Sequence, residues 1–161
     1  GYKAISLPDI KADTSIGHKL YIEKCMVCHG ENGQGQLIPG EEFIGYVYPP
    51  LGGTDTYNDG AGMNRVITAA QFIKSNMPFG ATYDAPLVTD DEAYHLAAYI
   101  NTFPRPEKPY KEIDFPDKTL KPVSTPYGPW TDDFSPEQHK FGPFQPIMKY
   151  YQDTYDLRKT K

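Results

Sequence analysis

The chain has 161 residues and a net charge of −5, and it combines a low apolar fraction of 39% with 14% aromatic residues and 16 prolines. This length fits one domain with some surplus, and the composition indicates a small core wrapped by proline-stiffened loops. The absence of a basic patch argues against nucleic-acid binding, and no apolar stretch approaches the ~20 residues of a membrane span.

The acidic charge is concentrated in the first part of the chain. Residues 1–103 carry 6 basic and 12 acidic side chains, whereas residues 104–161 carry 10 basic and 9 acidic ones. A partner that is steered by charge toward the first part would present a basic face, although a plain acidic surface explains the same counts.

The first helix is predicted from residue 15 to Cys28, after a lead-in over residues 1–14. Asp13, Thr14 and Ser15 offer N-caps, and Gly30 ends the helix. Helical spacing places Ile16, Leu20, Tyr21 and Lys24 on one face of it, together with Gly17.

Both cysteines lie at the end of this helix in the segment CMVCH, residues 25–29. A zinc site would need further ligands, and the other three histidines are scattered along the chain. A redox dithiol would need a strand before the motif, where the sequence predicts a helix. Two thiols three positions apart, followed directly by His, are typical of covalent haem attachment. We therefore predict one haem c, bonded to Cys25 and Cys28, with His29 on the iron.

The connection after the motif contains Tyr48-Pro49-Pro50-Leu51, about 20 residues beyond His29. A rigid diproline could bring a backbone carbonyl to Nδ1–H of His29 and fix the ring, while Leu51 covers the porphyrin. The same residues could also form a plain turn.

A second helix is predicted over residues 63–75, and Met77 follows it in the sequence Asn-Met-Pro-Phe-Gly. Met77 is the candidate for the second axial ligand because Pro78 fixes the backbone beside it and Gly80 permits a turn. The remaining methionines lie inside the motif or have packing explanations; they are Met26, Met63 and Met148.

A third helix begins at a capping box formed by Thr89 and Glu92 and runs to about residue 102. His95 falls within this helix and is predicted to be a surface residue. No segment shows clear strand alternation, so the sequence predicts an all-α haem domain over residues 15–103.

Residues 104–161 are predicted to form a long extension that wraps the haem domain. Ten of these 58 residues are Pro and ten are aromatic, which is too aromatic for a disordered linker. A short helix is expected near residues 146–157, with inward-facing side chains from Ile147, Tyr150, Tyr151 and Tyr155. Two interpretations of the extension stay open, namely structural cover and a docking surface for a partner.

The order of these features resembles the class I cytochromes c over residues 15–103. That resemblance implies three main helices around one covalent haem, with Gly17 of the first helix close to Tyr99 of the last. It also places Pro49 as the haem-covering proline and Met77 as the axial ligand.

A narrower likeness is to the C-terminal haem domain of the thiosulfate dehydrogenases, the dihaem cytochromes of sulfur metabolism. It is carried by Tyr48–Leu51, Tyr57–Met63, Thr68–Ile73, Asn76–Gly80, Ala97–Asn101, Pro104–Pro106 and Tyr127–Phe144. The resemblance implies a second, N-terminal haem domain in those enzymes, with a Cys on the active-site iron. Since this chain has one Cys-x-x-Cys-His motif and no third Cys, it resembles the electron-accepting half.

The prediction is a monohaem c-type cytochrome, not itself an enzyme, that passes single electrons through a His/Met-ligated haem. We expect it in the periplasm or another exported location, with redox proteins bearing a basic docking face as partners, in sulfur-compound oxidation or respiration. Two alternatives stay open: a haem subunit of a multi-component sulfur-oxidising enzyme, and a ligand-binding or peroxidatic haem protein if Met77 is not bound. No catalytic residue stands out.

Overall fold

The computed structural model describes residues 2–40 and 45–161, and helices form its framework. The α-helices in these ranges are α1 Thr14–Lys24, α2 Met26–His29, α3 Val66–Asn76, α4 Asp90–Ile100, α5 Pro136–Phe141 and α6 Gln145–Tyr155. Short 3₁₀ turns occur at Gly62–Asn64, Lys111–Ile113 and Lys118–Leu120. In the described part of the chain, no helix has the length and apolar character needed to cross a membrane.

Helices α1 and α4 cross at close range because Gly17 has no side chain. A Cβ at Gly17 would lie 2.1 Å from the backbone oxygen of His95 and 2.7 Å from Cβ of Tyr99. The ring of Tyr21 lies 5.3 Å from that of Tyr99 and 5.5 Å from that of Phe103. The helix crossing that the family resemblance implied is therefore present.

The first helix is capped at its start, but it ends earlier than predicted. Asp13 caps it by accepting hydrogen bonds from the amides of Ser15 and Ile16. The predicted continuous helix to Cys28 is wrong, because α1 ends at Lys24 and a separate turn, α2, follows Cys25. Ile16 does not face inward, since 42% of it is exposed.

The second helix starts later than predicted. Residues 62–64 form a 3₁₀ turn, and Arg65 then takes an extended conformation with φ −98° and ψ 123° before α3 begins at Val66. Most of α3 is buried, which fixes its position against α4. The buried members are Val66, Ile67, Thr68, Ala69, Ala70, Gln71, Ile73 and Ser75.

The capping box of the last main helix is confirmed. The hydroxyl of Thr89 accepts a hydrogen bond from the amide of Glu92 at 3.1 Å, and the Glu92 carboxylate accepts one from the Thr89 amide at 2.8 Å. The expectation that His95 lies on the surface is wrong. His95 is 7% exposed, and its Nδ1 accepts a hydrogen bond from the backbone N–H of Asp13 at 2.9 Å.

A short antiparallel ribbon is present between the motif and α3. It pairs β1 Gln36–Leu37 with β2 Tyr46–Tyr48. Two- and three-residue strands are too short to show the alternation that identifies a strand in a sequence, which explains why this ribbon was not predicted. The framework remains helical, so the all-α class I cytochrome c fold is confirmed.

The extension after residue 103 packs its aromatic and aliphatic side chains into the core. Phe144 and Ile147 are fully buried, and Tyr151 is 1% exposed. Helix α6 matches the predicted helix, whereas α5 was not predicted and Tyr155 is 40% exposed rather than inward-facing.

A buried polar cluster, absent from the sequence predictions, holds the extension together around His139. Its Nε2 lies 2.8 Å from the Asp132 carboxylate, and its Nδ1 lies 2.7 Å from the backbone oxygen of Val123. Tyr151 donates to the other Asp132 oxygen at 2.6 Å, and the ring of Trp130 stacks on the imidazole at 4.2 Å. Because every member is paired, the cluster can be buried without orphaned polar groups.

Candidate haem site

The motif residues lie on a single helical turn. The backbone N–H of His29 donates to the carbonyl of Cys25 at 2.9 Å, which closes the turn. Helical spacing places Cys25 and Cys28, three positions apart, on the same side of it. Both thiols are free and partly buried. Burial raises the pKa of the Cys25 thiol to about 11, opposite to the lowered pKa that thiol–disulfide exchange requires.

His29 is held in one orientation by a backbone carbonyl. The side chain is buried, and its Nδ1 lies 2.9 Å from the carbonyl oxygen of Pro49. A carbonyl can only accept, so Nδ1 carries a proton, and Nε2 is the ring nitrogen left to face a metal. This is the arrangement in which a His presents Nε2 to a metal while a neighbouring acceptor fixes its ring.

Two glycines bring the Pro49–Leu51 loop close enough to make this contact. The carbonyl of Gly33 accepts a hydrogen bond from the amide of Leu51 at 2.7 Å. A Cβ at Gly35 would lie 2.6 Å from the backbone oxygen of Tyr48, so only glycine fits at that position. Leu51 itself is partly buried against the core. The role of either glycine was not predicted from the sequence, because each depends on a contact with a residue 13 or more positions away.

Arg105 fastens the far side of the same loop and was missed as a site residue. Its guanidinium donates at 2.8–3.3 Å to five oxygens, from Leu51, Tyr57, Asn64, Ile100 and Phe103. The one signal in the sequence was the Pro-Arg-Pro segment directly after the last main helix. All five bonds come from Nη1 and Nη2, whose four N–H groups lie in one fixed plane, so at least one N–H is shared between two oxygens.

Met77 lies on a different element from the motif. It is the C-cap of α3, its amide donates to the carbonyl of Ile73 at 2.9 Å, and its side chain packs partly buried against the core. Phe79, two residues later, is 93% exposed, and Gly80 has a φ of 97°. No hydrogen bond joins Met77 to the His29 turn within the described ranges. Its role as an axial ligand stays a prediction.

The donor set fits a covalently attached haem. It offers two free thiols on one face of a turn and a buried imidazole with Nδ1 already occupied. A thioether is available at the end of α3. Across residues 2–40 and 45–161, no group of three or more His, Cys, Asp or Glu side chains is arranged to hold a metal ion. When bound, a haem would supply the one-electron chemistry of its iron.

The chain belongs to the cytochrome c family, whose sequence profile matches residues 15–104. Together with the helical fold and the Cys-x-x-Cys-His turn, this defines a class I c-type cytochrome that carries covalently bound haem c.

Within that class, the chain is similar to thiosulfate dehydrogenases. It is 45% identical over 108 residues to the thiosulfate dehydrogenase of Stutzerimonas stutzeri strain A1501, covering 67% of this chain and 33% of that protein. The enzyme of Psychrobacter arcticus is 44% identical over 108 residues, covering 67% and 31%. A solved structure of thiosulfate dehydrogenase TsdBA from Marichromatium purpuratum matches 68% of this chain and 22% of that chain, with 45% identity and a TM-score of 0.59. The chain spans about a third of the length of these curated relatives.

Proposed function

We propose that the chain is a single-haem electron carrier in which His29 and Met77 are the axial ligands, and that it accepts electrons released by oxidation of thiosulfate or a related sulfur compound. The observation that carries this proposal is the hydrogen bond between Nδ1 of His29 and the Pro49 carbonyl. It fixes the orientation of the imidazole and leaves Nε2 for a metal beside two free cysteines.

Each residue of the site has a distinct part in this proposal. Cys25 and Cys28 anchor the porphyrin by thioether bonds, and with both cysteines used, none is left to ligate iron. The Met77 thioether favours the ferrous state and so raises the reduction potential above that of a bis-His haem. Leu51, which is partly buried against the core, would cover the porphyrin and limit its contact with water.

The sulfur substrate class is supported by the relatives. Both curated proteins and the solved structure are named thiosulfate dehydrogenase, and their identity to this chain is 44–45% over its matched part. A donor acting on this chain would be a redox protein with a basic docking face, since residues 1–103 carry twice as many acidic as basic side chains. Covalent haem attachment in this family supports a periplasmic or otherwise exported location.

A second candidate is a haem subunit or haem domain of a larger thiosulfate-oxidising enzyme. The specific observation in its favour is that the matched region is only about a third of each curated relative. In this form the chain would still relay electrons and would depend on other parts for substrate chemistry.

The test is thiosulfate turnover by the purified holoprotein. We expect no oxidation of thiosulfate when the chain is alone with ferricyanide as acceptor. We expect rapid reduction of its haem when a catalytic amount of a thiosulfate dehydrogenase is added with thiosulfate. Oxidation of thiosulfate by the isolated chain would contradict the carrier role, and failure of every such enzyme to reduce it would contradict the sulfur assignment.

A further inference from the structure

The lead-in before α1 runs without helix or strand across several elements of the haem domain. Its Ile10 carbonyl accepts from the Tyr94 hydroxyl at 2.8 Å, and its Ala12 amide donates to the carbonyl of Phe141 at 2.8 Å. These contacts fasten its second half to α4 and the extension. The first half, residues 2–6, has a different set of neighbours.

Residues 2 and 3 contact the end of α3, directly before Met77. The ring of Tyr2 lies 6.1 Å from that of Phe72. The Lys3 amide donates to the hydroxyl of Ser75 at 2.8 Å, and Ser75, which is 2% exposed, donates in turn to the carbonyl of Gln71 at 2.9 Å. The lead-in thus bonds to a buried side chain two positions from Met77.

The same segment also reaches the loop that follows Met77. Nζ of Lys3 donates to the backbone oxygen of Tyr83 at 3.3 Å and lies 5.0 Å from the centre of its ring. One residue of the lead-in therefore bonds on both sides of Met77 along the chain, before it at Ser75 and after it at Tyr83.

Asp90, at the start of α4, contacts both the lead-in and the end of α3. One carboxylate oxygen accepts from the Ser6 amide at 2.8 Å, and the other lies 3.0 Å from Nζ of Lys74. Burial acts to raise the pKa of Asp90, but the hydrogen bond from Ser6 and the Lys74 ammonium together hold it below its ordinary value. The carboxylate therefore links the lead-in to the last turn of α3 as a charged group.

From these contacts we propose that residues 2–6 are a positioning segment for Met77: they fix the end of α3 and the following loop so that the thioether stays on the iron. The proposal rests on the proposed His29 and Met77 ligation. The segment supplies no iron ligand in this proposal, and its effect acts through Ser75, Tyr83 and the Lys74–Asp90 pair.

The test measures how readily added imidazole displaces the thioether from the ferric holoprotein. If the contacts of the segment favour ligation by Met77, removing one of them raises the fraction of protein in which the thioether is dissociated from the iron. The apparent dissociation constant for imidazole is inversely proportional to that fraction, so it falls as the fraction rises. A merely structural role would lower thermal stability without changing this constant relative to a matched control.

The first variant pair is Ser6→Pro and Ala4→Pro. Proline removes the backbone N–H that Ser6 donates to Asp90, whereas Ala4 is exposed and its N–H has no hydrogen-bond partner in the described part of the chain. We expect imidazole to bind about tenfold more tightly to Ser6→Pro than to wild type, the change given by one lost hydrogen bond to a charged group. Ala4→Pro is expected to match wild type.

The second pair, Asp90→Ala and Asp91→Ala, tests the same contacts without proline, in case the proline variants fail to fold. Both remove a carboxylate from the first turn of α4, where negative charge favours the helix, but only Asp90 bonds to Ser6 and Lys74 among the described residues. We expect tighter imidazole binding in Asp90→Ala alone, at unchanged haem content. Met77→Ala sets the upper limit of affinity.

Two results would overturn the proposal and are distinguishable. If wild type shows the far-red band of ferric iron–methionine ligation but both pairs bind imidazole equally, only the positioning role fails. If wild type lacks that band and already binds imidazole as tightly as Met77→Ala, the ligation in the proposed function fails, and this inference fails with it.

Discussion

Lys121 is a charged side chain in an almost completely buried position. It is 1% exposed, and its Nζ donates to the backbone oxygen of Pro129 at 3.0 Å while lying 4.7 Å from the ring centre of Tyr127 and 5.7 Å from that of Trp130. Burial lowers the pKa of Lys121 from 10.5 to about 8. The folded protein therefore binds a proton here less readily than the unfolded chain does.

This pKa difference predicts a pH-dependent contribution to stability. Between pH 8 and 10.5 the unfolded state holds the extra proton, so the contribution of Lys121 to the free energy of unfolding rises with pH. Relative to Lys121→Met, wild type should gain about 2 kcal/mol between pH 7 and pH 9.5 in urea unfolding followed by circular dichroism. A free-energy difference between wild type and Lys121→Met that stays constant across this pH range would refute the assignment.

Single residues were predicted well where local chemistry decides their place and poorly where a distant partner does. Thr89 and Glu92 are three positions apart, so the sequence displays the whole capping box. His95 was expected at the surface because its partner, the amide of Asp13, lies 82 positions away. The burial of His139 likewise depends on a group that is distant in the sequence, the carbonyl of Val123, which lies 16 positions away.

Helix α6 is the element through which the extension contributes most clearly to the core. Ile147 on this helix is fully buried, whereas Ile113, in a 3₁₀ turn of the same extension, is 67% exposed. Such packing favours structural cover as the role of the extension over a docking surface alone. The docking interpretation concerns its exposed side chains and stays a hypothesis.

The two isoleucines make a matched pair for mutation. Ile147→Ala should lower the free energy of unfolding by about 2–5 kcal/mol, because it removes buried methyl and methylene groups and leaves a cavity. Ile113→Ala should change it by no more than ~0.5 kcal/mol. Chemical denaturation of the holoproteins measures both, and similar losses in the two variants would show that α6 does not anchor the extension.

The long elements were predictable because their periodicity and termination signals are local. The Cys25–His29 turn and the Met77 loop were likewise indicated by the local segments Cys-x-x-Cys-His and Met-Pro. The short elements escaped prediction: α5 has six residues and the ribbon strands have two and three, too few for a periodic pattern. The interruption between α1 and α2 at Cys25 was not predicted for a different reason, because the residues on both sides of it favour helix.

The molecule as a whole is acidic, and its net charge of −5 combines −6 from residues 1–103 with +1 from residues 104–161. An exposed acidic surface attracts cationic redox partners and repels anionic ones, and added salt weakens both effects. Reduction of the ferric protein by hexaammineruthenium(II) should therefore slow as ionic strength rises, while reduction by the anionic iron(II)–EDTA complex should accelerate. Stopped-flow measurements provide both rates, and an equal response to salt would argue against a basic partner.

Contacts between distant parts of the chain connect the lead-in, the haem domain and the extension. The Phe141 carbonyl accepts a hydrogen bond from the Ala12 amide and shares the single Tyr94 hydroxyl proton with the Ile10 carbonyl, so all three regions meet at one atom. Arg105 adds a second junction between the extension and the loop that carries Leu51. Neither junction is visible in the sequence, because each joins residues far apart in the chain and leaves no periodic pattern.

Optical spectra of the ferric and ferrous protein test the central claim, a single haem held by His29 and Met77. We predict one haem per chain, a low-spin ferric spectrum with the weak far-red band of iron–methionine ligation, and no carbon monoxide binding to the ferrous form. A high-spin ferric spectrum with avid carbon monoxide binding would contradict Met77 as ligand, and a protein without haem would contradict the account altogether.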